Sequence, residues 1–299
     1  MNLRFLIADN DSNSALPNYL QFELEKFGTV SRIRFPQTKQ PDLGQVVAFV
    51  TASRPNVIIN TVSFNRDIVS LNDKNLTKVF NIDLPLALYH GIQGSKGIFL
   101  HVSDSSVFNS LNVSTPWLET DMPNPVSFYG KTRAIIEQQL FSNVGQCILV
   151  RLGTLLDSCE NNRISSLLTE IFEKRSLKIN PFSKTSVLSP KLASKMLTKL
   201  ILQSQVNPQL QDLYHLANNG SPTENEIVEL ITSTIQKIDP TVKLPKISLV
   251  KEGNTGSENS CNALDCTKFQ DRLGVILPDW RDSVIEATVA TTLKQRHPH

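Results

Sequence analysis

The residues joining the first apolar run to the first helical pattern decide what chemistry this chain can attempt. Residues 3–8 read as a buried strand, and from Leu6 the chain continues LIADNDSNSALPNYL into a helix. In a nucleotide-binding protein of this shape the turn holds phosphate, because glycines let backbone N–H groups approach the anion at the helix N-terminus. Here the turn contains none, and the first glycine of the chain is Gly28. Asp11, Ser12 and Ser14 are instead residue types that cap a helix with their own oxygens. Metal chemistry has little support. Cys147, Cys159, Cys261 and Cys266 form no C-x-x-C pair, and His90, His101, His215, His297 and His299 are scattered, so reduced thiols are expected.

The elements that must position any site follow from the apolar pattern. In the first half, short apolar runs at 3–8, 29–35, 56–62, 97–103 and 146–153 alternate with helical stretches at 16–28, 42–55, 74–95 and 129–143. Gly28 is a natural C-cap for the first helix, Asp42 an N-cap for the second, and Pro85 a local break in the third. Continuous apolar strands separated by helices imply a parallel sheet covered on both faces. The expected fold is α/β: a Rossmann-type, doubly wound sheet over 1–150, followed by a smaller substrate-binding-like α/β domain over 151–299 that returns one strand. In that second part, helices are expected at 164–175, 191–205 and 224–238 and a strand at 212–218. A Gly/Asn/Ser-rich loop follows at 250–265, a composition common in functional loops, and the tail KQRHPH reads as a frayed end.

The 299 residues are 40% apolar and 19% charged, with a net charge of +2. Near-neutral charge gives no electrostatic case for nucleic acid or a membrane surface. No stretch approaches the ~20 apolar residues of a membrane span. The N-terminus lacks a signal-peptide pattern, so a soluble, cytoplasmic protein is expected.

The stretch STPWLETDMPNPVSFYGKTRAIIEQQL, residues 114–140, resembles dTDP-4-dehydrorhamnose reductases, a family of extended short-chain dehydrogenases. The same family includes the regulatory beta subunit of methionine adenosyltransferase. RPNVIINTVSF at 54–64 and VFNIDLPLALYHGIQGSKGIFLHVSDSSVF at 79–108 resemble further family segments, as do LYHLAN at 213–218 and LGVILPDWRDSV at 273–284. The resemblance implies nicotinamide coenzyme and nucleotide-sugar sites. The family's cofactor positions fall on Ala8, Asp11, Ser14, Arg34, Asp42, Asn60 and Asn81. Its three phosphate-loop glycines are thereby Ala8, Asp11 and Ser14. A carboxylate at Asp11, ~5 Å from a pyrophosphate at an effective dielectric of ~20, costs about 3 kcal/mol. Arg34, ending the second strand, suits the 2′-phosphate of NADP in this family, or is simply solvated.

The resemblance also implies an active site of Thr or Ser, Tyr and Lys. The tyrosine position is Tyr129, the lysine position at i+4 is Arg133, and the Thr position is Asp104. Lys131, at i+2, lies ~200° around a helix and faces elsewhere. Ser103 and Ser105 flank Asp104 but point to the other face of the strand. Asp104 pushes the phenol pKa up and Arg133 pushes it down, so the two are expected to cancel largely. Trp117 is either a lid over the cleft or packing. The late loop lacks the arginine that would meet a diphosphate. NADPH binding is therefore expected to be weak or lost, and the leading reading is a non-catalytic or regulatory relative. A working reductase of a nucleotide-activated 4-keto-6-deoxy sugar, and a regulatory subunit similar to the methionine adenosyltransferase beta subunit, are the alternatives. The expected ligand is a nucleotide sugar or a protein partner, with homodimerisation open.

Overall fold

The computed structural model describes residues 3–10, 14–64, 71–95, 97–111, 113–142, 147–156, 162–173, 176–249 and 260–296. Its centre is a six-stranded parallel sheet. In chain order the first half runs β1 (Leu3–Asn10), α1 (Ala15–Leu24), β2 (Gly28–Phe35), α2 (Leu43–Ser53), β3 (Val57–Asn60), α3 (Leu71–Lys78), α4 (Leu84–Ile92), β4 (Ile98–Asp104), α5 (Phe128–Ser142) and β5 (Cys147–Leu152). The second half adds the short strands β6 (Thr154–Leu155), β7 (Leu177–Ile179), β8 (Ser183–Lys184) and β9 (Val187–Leu188), with α6 (Arg163–Phe172) before β7. It continues with α7 (Pro190–Ser204), β10 (Leu213–Leu216), α8 (Glu224–Ile238), β11 (Ile247–Leu249), β12 (Ser260–Cys261), α9 (Thr267–Leu273) and α10 (Trp280–Arg296).

The sheet order is β10-β5-β4-β3-β1-β2, all pairs parallel. The order reverses between β1 and β3, and ligands of doubly wound sheets bind beyond the carboxyl ends of the strands at such a switch point. The expected parallel α/β sheet is thus present, and β10 is the strand that returns from the C-terminal half. Its strands are apolar on both faces because both faces are covered. Phe5 and Ile7 pack with α1, α7 and α9, while Leu6 and Ala8 pack with α2, α4 and α5. A third apolar cluster joins α6, α8, α10 and β7 into a second lobe. Among the described residues no helix is long and apolar enough to cross a membrane.

Several boundaries differ from expectation for physical reasons. The first strand does not stop at residue 8; β1 stays paired with β2 through Asn10↔Phe35. Gly28 is not the C-cap of α1, which ends at Leu24 and is capped at Glu25. Gly28 begins β2, where a Cβ would come within 2.0 Å of the Leu3 carbonyl oxygen, so close strand approach selects the glycine. Asp42 does cap α2, accepting the Gln45 N–H at 3.1 Å. The long third helix is broken, as Pro85 suggested. Proline has no N–H for the carbonyl one turn back, and the chain widens into a π turn at Val79–Asp83 with Leu84 N–H bonded to Val79 O. Residue 11, most of the late loop at 250–265 and the tail at 297–299 lie outside the described residues.

The π turn presents Asn81 to the β3 exit. Its amide oxygen accepts the Phe64 N–H at 2.8 Å, and its amide nitrogen donates to Phe64 O and Thr132 Oγ1, each at 3.1 Å. Asn81 is fully buried and ties the loop after β3 to α5. Asn81→Ala leaves the Phe64 N–H and C=O inside the protein without those partners. A loss of about 2–3 kcal/mol in urea denaturation is expected; an unchanged midpoint would contradict this bracing role.

Candidate functional site

The carboxyl ends of β1, β3, β4 and β5 open into a cleft of about 750 Å³ whose far wall comes from the second lobe. Asn10, Ser14, Thr61 and Ser63 line its β1/β3 side, Asp104, Tyr129 and Arg133 its centre, and Thr154, Arg163, Thr185 and Glu224 the opposite side.

At the centre, three groups close on one another. The Tyr129 hydroxyl donates to Asp104 Oδ2 at 2.6 Å and, with its own hydrogen so committed, accepts from Ser63 Oγ at 2.9 Å. Arg133 Nε stands 3.7 Å from the same Asp104 Oδ2. The other carboxylate oxygen, Oδ1, accepts the Ser106 N–H at 2.8 Å and caps the turn after β4. Tyr129 and Arg133 share a helix face because they are one turn apart on α5, and the guanidinium lies 5.9 Å from the phenol ring centroid. Arg133 is 1% exposed; one of its N–H groups donates to the Val102 carbonyl, while Nε and Nη1 make no hydrogen bond. Lys131 is exposed and faces away.

Burial, then the Asp104 charge, push the Tyr129 phenol far above its ordinary pKa, and the Arg133 charge only partly opposes them. Asp104 and Arg133 oppose each other as expected, but burial, the largest cause, acts with Asp104 and carries the net shift upward. A phenol in this state holds its proton, whereas an effective general acid has a pKa near the working pH.

Beneath the cleft lies a buried polar chain. Ser103 donates to Glu137 Oε1 at 2.5 Å, so it turns to α5 and away from Tyr129. Arg151 Nη2 and Nε donate to Glu137 Oε2 at 2.7 and 3.1 Å, and Arg151 Nη1 lies 3.2 Å from His215 Nε2. His215 Nδ1 is 3.0 Å from Trp117 O. These contacts hold the His215 ring as Nδ1–H, with Nε2 accepting from Arg151. Burial and Arg151 depress its pKa to about 3. His101, beside Asn60 at 2.8 Å, is depressed too, by burial and then by Arg133.

Ala8 is a buried strand residue whose carbonyl accepts both the N–H and the hydroxyl of Thr61. Ser14 is the N-cap residue of α1 and lines the cleft. Arg34 is 57% exposed with Nε 3.9 Å from Asp9 Oδ1. Asp42, Asn60 and Asn81 do not line the cleft; Asn60 instead holds His101 and the Val62 N–H. Trp117 does not line the cleft either. It stacks on Phe108 at 4.4 Å and donates to Cys261 O at 2.9 Å, so of its two expected roles the structure gives it packing. Cys147, Cys261 and Cys266 are free thiols; Cys159 lies outside the described residues.

Two features had escaped notice in the sequence. Arg163 starts α6 on the far wall, bonded to Glu224 Oε1 at 2.5 Å and to Lys178 O at 2.7 Å. Asn162, capping α6 by accepting Ser165 N–H at 2.9 Å, was the signal that could have placed it. The second is Asp9, 1% exposed, whose carboxylate takes Arg32 Nε at 2.7 Å and an Arg32 Nη2 contact as well.

Against known proteins, the sequence profile described as RmlD substrate binding domain matches residues 15–293. The chain is 24% identical over 242 residues to the dTDP-4-dehydrorhamnose reductase of Shigella flexneri, covering 80% of this chain and 81% of that one. It is 21% identical over 245 residues to methionine adenosyltransferase 2 subunit beta of Bos taurus, covering 80% and 72%. Its fold matches a crystal structure of dTDP-4-dehydrorhamnose reductase from Bacillus anthracis in complex with NADP, with a TM-score of 0.79 at 19% identity over 97% of this chain and all of the other.

Proposed function

Because this chain belongs to the family of the RmlD substrate binding domain, we propose that it keeps the interlobe cleft as a site for a nucleotide sugar but does not reduce that ligand with NADPH. The observation that carries this reading is the Tyr129–Asp104–Arg133 cluster. The phenol that would protonate a carbonyl oxygen has its proton engaged by a carboxylate at 2.6 Å and a pKa raised by burial and by that charge. Arg133 supports it: the lysine position carries a wide planar fork, with one N–H on Val102 O and Nε 3.7 Å from Asp104, rather than a compact point charge. The cleft itself supports ligand binding. Clefts between lobes are default ligand sites, and this one is lined by hydroxyl and amide groups suited to a sugar.

The relative that is a subunit of methionine adenosyltransferase favours a second component of this reading: the ligand-bound chain acts through a protein partner. Co-purification from the native source, with the bound protein identified by mass spectrometry, tests that component.

The chemical test is NADPH oxidation at 340 nm with dTDP-4-keto-6-deoxy sugar. No turnover is expected, and Tyr129→Phe is expected to be indistinguishable from the unaltered chain. Tyrosine absorbance should show no phenol titrating below its ordinary range, about pH 10. Robust turnover abolished by Tyr129→Phe would sink the proposal and make the chain a working reductase. Calorimetry with dTDP-sugars tests the binding half separately.

A further inference from the structure

Asp9 lies at the carboxyl end of β1, directly beside β2 in the switch-point region. Its carboxylate is buried and holds Arg32 through two N–H groups, while Arg34 Nε stands 3.9 Å away. Arg32 is fixed from the other side by Asn18 Oδ1 of α1 at 2.7 Å. In doubly wound folds the end of the second strand reads the ribose of a dinucleotide, and an arginine there accommodates a 2′-phosphate. Here two arginines of β2 are available in type, yet a carboxylate of the same chain already stands among them. A planar guanidinium binds carboxylate and phosphate with the same paired N–H geometry, so one anion excludes the other.

We propose that Asp9 is a specificity-determining residue: its carboxylate is a built-in counter-anion that occupies Arg32, stands 3.9 Å from Arg34, and so disfavours 2′-phosphorylated adenine nucleotides at the end of β2. Three elements enforce this arrangement. β1 stays in strand pairing to Asn10, which carries Asp9 against β2 rather than into a turn. α1 supplies Asn18 to hold Arg32 in place. Burial of Asp9 keeps water from competing for the pair. A 2′-phosphate that meets Arg34 stands beside the Asp9 carboxylate and is repelled by it, and one that meets Arg32 must displace that carboxylate.

The proposal deepens the reading of a cleft used without NADPH, but it concerns the 2′-phosphate alone and is tested without catalysis. Calorimetry on the full chain uses three probes: adenosine 2′,5′-bisphosphate, NADPH and NADH. The unaltered protein is expected to show no measurable affinity for the bisphosphate and no preference for NADPH over NADH. Asp9→Asn keeps the shape and removes the charge. It is expected to bind the bisphosphate and NADPH about tenfold or more tightly than the unaltered chain, as one restored charge-assisted contact allows, with NADH unchanged. Adding Arg34→Ala is expected to reduce that gain. Asp9→Asn that folds, by circular dichroism, and gains nothing, or gains equally for NADH, overturns the proposal. Should Asp9→Asn not fold, the unaltered chain decides: a preference of about tenfold for NADPH over NADH overturns the proposal, and its absence together with no bisphosphate binding upholds it. Turnover at equal NADH and NADPH affinity would sink the non-reducing reading and leave this inference standing.

Discussion

Lowering the pH from about 6.5 to about 5 is expected to remove about 2 kcal/mol of folding stability through His215, and His101 deepens the loss. His215 has its pKa depressed from 6.5 to about 3 by burial and then by the Arg151 charge. His101 is depressed by burial and then by the Arg133 charge. In the unfolded chain both imidazoles take a proton near pH 6.5, and in the folded chain both refuse it until far lower. Below about 6.5 the unfolded state therefore binds more protons, so stability falls as pH falls. His215 contributes a slope that approaches about 1.4 kcal/mol per pH unit below about pH 5.5, and His101 steepens it. The His215 share is present above about pH 6.5 and is lost progressively towards about pH 3. Urea denaturation at half-unit pH intervals measures the slope. His215→Gln should make it shallower by up to about 1.4 kcal/mol per pH unit, whatever it does to stability at neutral pH. A slope that is the same with and without His215 would refute the assignment.

Cutting the ion pair beneath the cleft should cost still more, and at neutral pH. Arg151 and Glu137 are each nearly fully buried and joined at 2.7 Å. Neither Arg151→Leu nor Glu137→Leu removes both charges, and each leaves the other charge inside the protein without its counter-ion. A loss of about 3–5 kcal/mol is expected for either. The double change removes both charges together. It still strands the Ser103 hydroxyl and the His215 Nε2, which lean on Glu137 and Arg151, so it will not be neutral. Its cost should nonetheless fall short of the sum of the singles by up to about 3 kcal/mol. Strict additivity would mean the two side chains stabilise the fold independently, contrary to their geometry. Arg151→Leu also takes a positive charge from beside His215, which should raise the His215 pKa and shallow the acid slope. The same variant thus links the two measurements.

The sequence by itself determined the parallel sheet, its family and the identities at the centre of the cleft. Apolar runs of four to eight residues between helical stretches leave few alternatives to a covered parallel sheet, and a helix spacing of four brings Tyr129 and Arg133 to one face whatever surrounds them. Local caps such as Asp42 were legible too, because a cap interacts only within its own turn. Tertiary structure alone decided everything that depends on register, burial and distance. That Asp9 meets Arg32 follows from how β1 and β2 pair and where α1 lies, across 23 positions of sequence. That Asn81 braces Phe64 and Thr132 follows from a π turn no periodicity predicts. Trp117 became packing only when Phe108 and Cys261 arrived beside it. The same holds for the phenol of Tyr129: charge types alone suggested cancellation, but the desolvation that tips the balance comes from how the chain folds around the cleft, and no residue carries it in its name.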